Sequence, residues 1–450
     1  MTAGLPSQRR GLTRALLGLA LPVILANISQ TLMGLVDTLM VGRLGVAPIA
    51  AVGVATLVFS AVASALKAFD MAVQTITARR VGEGRDHEVG GVLATGLFLA
   101  VSLGIVVTVV GLIWPDRAMA LVSSSEDVRR LGVEYLMARV PGMVPFMAFF
   151  ILRGCFDGIG WTRVGMIVGI GMNVLNAVLN WGLIFGHLGM PQLGVAGAAL
   201  GSTLASAIAV LVMVAVALAP GTRQRFGMIA KGSIRRDLMG PLVRLAWPLG
   251  VQVLGALVAV LVFFTILGRI STEAVAAGNI VLRIAALSFM PAIGMGVAVQ
   301  TTVSQALGRG DPDAAVRSGW TGVGLAVVFM GAFGLVFLFW PGWLMSLFTS
   351  DPVLVAAGTP ILRMMGLVQI FDAVGLTLAG GLRGAGANRA VMIIDVCAAW
   401  GLLIPSAWFF GVHLGWGLNG AWIGILVWFF MYAVAITVWF VRGSWRRIEV

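Results

Sequence analysis

Charge and cysteine are what this sequence has least of. Asp and Glu together number 18 in 450 residues, and charged residues of both signs make up 11%, too few to clothe a soluble globular surface. With 59% hydrophobic residues the chain reads as an integral membrane protein. Its two cysteines, Cys155 and Cys397, support no disulfide framework. The three histidines, His87, His187 and His413, fall in connections, and without an HExxH motif or a Cys/His cluster no metal centre is expected. There is no GxxxxGK[ST] phosphate loop, which argues against ATP as an energy source and leaves no cofactor to expect. No serine has a histidine base nearby, so the chain is read as not an enzyme. The net charge of +12 sits in short runs between apolar segments and forms no amphipathic face, which speaks against a nucleic-acid partner.

Long apolar stretches are what the sequence does have. They lie at roughly 15–41, 48–78, 89–113, 132–152, 164–186, 194–218, 245–267, 275–304, 316–340, 358–381, 390–411 and 419–441, each long enough to cross a bilayer as a helix. The ten-residue alternation of a membrane barrel is absent. Arg9, Arg10 and Arg14 precede a long apolar run without a convincing cleavage site, which reads as a retained first span. Most Lys and Arg residues, including Arg79, Arg80, Arg223, Arg225, Lys231, Arg235, Arg236, Arg446 and Arg447, fall in alternate connections. That bias places both termini in the cytoplasm and the chain in the inner membrane. The basic connection 219–244 divides 1–218, with helices 1–6, from 245–450, with helices 7–12.

The halves repeat. Adding 226 to a residue number carries Pro22 onto Pro248, Gly42 and Arg43 onto Gly268 and Arg269, AVQT at 72–75 onto AVQT at 298–301, and Trp114 and Pro115 onto Trp340 and Pro341. Gly158, Gly160 and Arg163 likewise fall on Gly384, Gly386 and Arg389. The fold predicted is an all-α membrane protein of twelve transmembrane helices in two homologous six-helix bundles. An even number of spans per copy gives both copies one orientation, the architecture of an alternating-access transporter.

Pro22, Asp37, Val41 and Gly42 on the first helix, the glycine-ended helices Gln74 to Gly84 and Gln300 to Gly310, and the turn Leu382, Arg383, Gly384 together resemble the multidrug and toxic compound extrusion transporters, in their DinF-like branch. The resemblance covers nearly the whole chain. It implies secondary active efflux of organic, often cationic and amphipathic compounds by proton or sodium antiport. A lipid or lipid-linked oligosaccharide flippase of the same superfamily is the alternative. The partners expected are a small-molecule substrate and membrane lipid, with the monomer as the working unit.

Where the copies differ, function is the first candidate. Asn27, Gln30, Gly34 and Asp37 share one face of the first helix, and a mid-span carboxylate has to look into protein or a water-filled cavity. Asn27, Gln30 and Asp37 map onto Val253, Ala256 and Phe263. On the fifth helix Asn173, Asn176 and Asn180 share a face and map onto Ala399, Leu402 and Ser406. The DinF-like pattern implies Asp37, Asn176, Asn180 and Thr203 as the ion-coupling group, with Asn180 standing where that pattern has a second aspartate. A lone carboxylate among amides suits a proton carrier, whereas sodium wants more anionic oxygen. Asn27, Gln30, Asn173, Gln252, Gln369 and Asp372 are candidates for the substrate cavity, and Pro22 for bending the first helix. Asp372 matches a cation-binding aspartate of the NorM-like branch, and pairing with Arg283 or Arg363 is the alternative. Asp395 is paired or cavity-lining. Lys67 and Asp70 are expected to pair along their own helix; Lys67 facing the cavity instead would repel cations and favour anionic or lipid-like cargo.

Overall fold

In the structure, a computed structural model, residues 6–228 and 233–449 are described, with side chains from Gly11 onward. Lys231 and its neighbours at 229–232, in the expected linker, lie outside the described residues, as do the side chains of Arg9 and Arg10. The first half runs through α1 (Pro6–Gly42), α2 (Val46–Leu66), α3 (Ala68–Gly82), α4 (Val89–Ile113), α5 (Pro115–Ala120), α6 (Glu126–Arg139), α7 (Met143–Ile159), α8 (Thr162–Phe185), α9 (Gly194–Leu218) and α10 (Pro220–Phe226). The second runs through α11 (Arg236–Ile270), α12 (Thr272–Ser288), α13 (Met290–Gly308), α14 (Pro312–Phe339), α15 (Pro341–Ser346), α16 (Pro352–Gly384), α17 (Asn388–Ala398), α18 (Ile404–Trp408) and α19 (Gly417–Arg442). Among the described residues 11 helical spans are long and apolar enough to cross a membrane, or 12 when α12 and α13, bent by 41°, count as one. A backbone in lipid must satisfy its own hydrogen bonds, which is why apolar runs of this length close into helices.

Besides the bent α12–α13 span, three others depart from simple rods. The second is interrupted at Lys67, between α2 and α3. The fourth extends from Glu126 to Ile159 rather than over 132–152, with a 3₁₀ turn at Val140–Gly142 joining α6 to α7. That extension brings Arg153 and Asp157 into the bundle. The eleventh contains π-helical turns at Ala399–Leu403 and Phe409–His413 on either side of α18, where Pro405 removes a backbone donor. The expected linker is shorter than its sequence, since α10 occupies part of it and α11 begins at Arg236.

The repeat is visible in backbone angles and packing. Trp114 and Trp340, before α5 and α15, have φ/ψ of −126°/40° and −125°/39°. Gly84 and Gly310, closing α3 and α13, have φ of 72° and 71°, a conformation glycine adopts without a side-chain clash. A Cβ on Gly154 of α7 would lie 2.5 Å from the Asp70 carbonyl oxygen, and one on its counterpart Gly380 of α16 would lie 2.3 Å from that of Gly296. One turn on, Gly158 faces the Gln74 carbonyl at 2.6 Å and Gly384 that of Gln300 at 2.3 Å. Both copies therefore use the same glycines to bring two helices into backbone contact.

The chain forms two compact units, Leu25–Gly250 and the residues up to Ile24 together with Val251–Val450. The divisions differ from the expected boundaries at 218 and 245. They fall inside α1 and α11, two residues after Pro22 and Pro248 respectively, so the boundary itself obeys the 226-residue repeat. Both prolines lie within unbroken helix assignments.

Candidate functional site

Within the unit Leu25–Gly250 a cavity of about 460 Å³ is enclosed by side chains of α1, α2, α6, α7, α8 and α9, a volume suited to one small organic molecule. The face of α1 predicted to carry polar groups supplies Gln30, Gly34 and Asp37. Asn180 of α8, fully buried, donates its amide N–H to Asp37 Oδ1 at 2.6 Å. Gly201 of α9 makes room for that amide, because a Cβ there would lie 2.2 Å from Asn180 Oδ1. Asn176 takes the amide orientation that satisfies both its ends: its nitrogen donates to Asp37 Oδ1 at 3.3 Å, and its oxygen accepts from the Ser202 hydroxyl at 3.1 Å and backbone N–H at 3.0 Å. Asp37 thus sits in the cavity wall with two amide donors aimed at one oxygen, as a carboxylate buried away from water requires.

Other predicted residues fall elsewhere. Asn173 lines the cavity and donates to Ser29 Oγ at 2.9 Å. Asn27 is outside it, accepting from Arg153 at 3.5 Å. Thr203, expected beside Asp37, donates instead to the Ala138 carbonyl at 3.2 Å and ties α9 to α6, while Ser202 and Ser206 present the α9 face that lines the cavity. The remaining candidates lie in the other unit. Gln252 donates to Asp395 at 2.8 Å and accepts from Arg383 at 3.3 Å, so Asp395 is paired. Asp372 is buried and forms no ion pair with Arg283 or Arg363, and Gln369, also buried, has both amide atoms without a hydrogen-bond partner.

The expected Lys67–Asp70 ion pair does not form. Lys67, at the α2–α3 junction, lines the cavity and places its ammonium 4.2 Å from the centre of the Phe150 ring. Asp70 is buried against the backbone of Gly154, and Arg153 pairs with Asp157 at 3.5 Å. Sequence reasoning also missed Tyr135 and Arg139, one helical turn apart on α6. Both line the cavity, with Arg139 over the Phe59 ring at 4.1 Å and Tyr135 OH accepting from Thr56 at 3.3 Å. The available signal was an arginine inside a span whose counterpart, Met365, is apolar.

A duplicated helical scaffold whose spans are apolar enough to cross a membrane, with a ligand-sized cavity inside one copy, defines a multi-pass membrane protein. The chain belongs to the MatE family, whose sequence pattern matches residues 22–182 and again 248–409; the second match begins at the position 226 residues after the first. Probable multidrug resistance proteins NorM are among its relatives. That of Thermotoga maritima is 28% identical over 97% of this chain and 94% of its own length; that of Mesorhizobium japonicum is 31% identical over 92% and 90%. The fold matches an outward-facing multidrug resistance MATE family transporter of the MOP superfamily at a TM-score of 0.90, with 21% identity and complete coverage of both chains. It also matches a MOP superfamily transporter from Pyrococcus furiosus at 0.89, with 21% identity and 97% of each chain covered.

Proposed function

We propose that the protein exports small amphipathic organic compounds across the inner membrane by secondary active transport, exchanging them for protons by alternating access, as a monomer with both termini in the cytoplasm. Multidrug resistance relatives that cover nearly the whole chain support the efflux reading. One observation carries the site assignment: Asp37 stands in the wall of the cavity with Asn180 donating to it at 2.6 Å.

Asp37 then has two states. Ionised, it accepts from Asn180 and Asn176 and offers its remaining oxygen to the positive group of a cargo molecule. Protonated, it no longer attracts that group, and its own hydroxyl seeks an acceptor in the wall. Proton and cargo compete for one carboxylate, and that competition is what an exchanger needs. The amide orientations favour a proton over sodium. Hard cations are held by shells of oxygen ligands, whereas here Asn180 and Asn176 turn their N–H groups toward the carboxylate.

Counterflow of a fluorescent amphipathic amino acid and of its carboxamide in proteoliposomes, with a proton or a sodium gradient imposed separately, tests the reading. Accumulation driven by the proton gradient alone is expected. Accumulation driven by sodium alone would overturn the choice of ion, and none under either gradient would overturn exchange itself.

A further inference from the structure

The cavity that holds Asp37 carries more positive than negative charge. Besides that one carboxylate its lining includes Lys67 and Arg139. Neither cation is paired with a carboxylate within 4 Å; each rests on an aromatic ring, Arg139 on Phe59 at 4.1 Å and Lys67 on Phe150 at 4.2 Å. Between those rings stands Phe146, 6.0 Å from Phe59 and 4.7 Å from Phe150, centre to centre. The three phenylalanines make an aromatic ladder with a cation at each end.

Resting on the reading of this cavity as the cargo site, we propose that Arg139 and Lys67 select cargo bearing an acidic group in addition to its positive one. The ammonium of such a zwitterion displaces the proton from Asp37, its carboxylate or phosphate is taken by Arg139 or, at the other end of the ladder, by Lys67, and its apolar body lies on Phe59 and Phe146, the two of these rings that line the cavity. A plain organic cation meets two like charges, Lys67 and Arg139, at the ends of the site. A plain anion meets ionised Asp37 and has nothing to exchange for the proton. A zwitterion matches Asp37 and one of the two cations while keeping proton and cargo in competition. Arg139 is the residue to expect on the acid, because guanidinium binds carboxylate and phosphate through two parallel hydrogen bonds.

The test uses a matched pair of probes, Nε-dansyl-lysine, which has a free carboxylate beside its ammonium, and its carboxamide, which keeps the ammonium and the fluorophore but not the acid. Binding to the purified full-length protein is read by fluorescence in detergent, where no gradient acts. The acid is expected to bind at least about tenfold more tightly than the amide, the value of one charge-assisted hydrogen bond. Arg139→Gln and Lys67→Met should bring that ratio toward one, and Arg139→Lys should restore part of it. Asp37→Asn should weaken both probes while leaving their ratio in place. An amide that binds as well as the acid, or a ratio unmoved in both the Arg139→Gln and Lys67→Met proteins, overturns the proposal. Because binding is read without a gradient, a protein that binds the acid selectively but shows no proton-driven transport would sustain this inference while the exchange reading failed.

Discussion

The two copies of the repeat keep the same scaffold and put different things inside it. In the first, Asp37, Lys67 and Arg139 line a cavity. Their counterparts 226 residues on are Phe263, Ile293 and Met365. Phe263 is 2% exposed and Met365 1%, and both belong to one apolar cluster with Trp422, whose ring is 5.9 Å from that of Phe263. Where Asp37 and Arg139 line a hollow in one copy, Phe263 and Met365 fill the corresponding space with hydrocarbon in the other, which gains dispersion contacts and buried apolar area. Meanwhile Gly154 and Gly380, and Gly158 and Gly384, do the same packing work in both. Duplication preserved what holds helices together and let the interior diverge, so asymmetry between copies marks function more sharply than composition does.

The largest expected effect sharpens that contrast directly. Asp37→Asn removes the carboxylate but keeps an amide-sized side chain beside Asn180, so proton-driven export in proteoliposomes should be abolished while the protein inserts and folds. Asp372→Asn, in the second copy, should leave export within severalfold of wild type. The opposite ranking would move coupling to the second copy.

Next in size, the shared scaffold should fail symmetrically. Gly158→Ala and Gly384→Ala each force a Cβ against a carbonyl oxygen, at 2.6 Å and 2.3 Å, and overpacking of this kind costs roughly 1–3 kcal/mol. Thermal unfolding in detergent should show comparable losses for the two variants. A large loss from one and none from the other would contradict equivalent packing.

Gly201→Ala should have a more selective effect. Its Cβ would sit 2.2 Å from Asn180 Oδ1, displacing the amide that donates to Asp37. A hydrogen bond to a charged group is worth about 1.5–3 kcal/mol, so export should slow by roughly tenfold or more, with the apparent pH of half-activation moved. An unchanged pH profile would show that Asn180 does not tune Asp37.

Smallest of all is the effect expected outside the cavity. The connection after α3 is held to the start of α11 by Glu88, which pairs with Arg235 at 3.2 Å and with Arg85 at 2.6 Å. Partly exposed pairs of this kind contribute about 0.2–1 kcal/mol each. Glu88→Gln should therefore speed tryptic cleavage at Arg235 modestly, and high salt should do the same to the wild-type protein. Transport should not change.

Much of this was legible in the residues, for reasons that also explain what was not. Apolar runs give the spans, a constant offset gives the duplication, and helical spacing places Asn27, Gln30 and Asp37 on one face. Spacing says which residues share a face but not how far around its axis a helix is turned within the bundle. On α9 a shift of one residue is a rotation of about 100°, and that was enough to put Ser202 in the cavity and Thr203 on the Ala138 carbonyl. Arg139 was missed although it lies within the apolar run 132–152, because that run was read for its length and not for the charge inside it. Lys67 was read through its neighbour Asp70, three residues away, whereas at the α2–α3 break its ammonium lies over the Phe150 ring. Asn27 and Gln252 carry the hydrogen-bonding capacity expected of them and spend it on helix partners, as membrane amides commonly do.

The central claim is that one proton and one cargo molecule compete for Asp37. Proton release on cargo binding measures it directly: a zwitterionic or amine cargo is titrated into purified protein in weakly buffered detergent solution while pH is followed with an indicator dye, near the pH at which Asp37 titrates. The account predicts that the wild-type protein releases protons in step with saturation, that Asp372→Asn releases as many, and that Asp37→Asn binds more weakly and releases none. Undiminished release from Asp37→Asn, with none from Asp372→Asn, would contradict it.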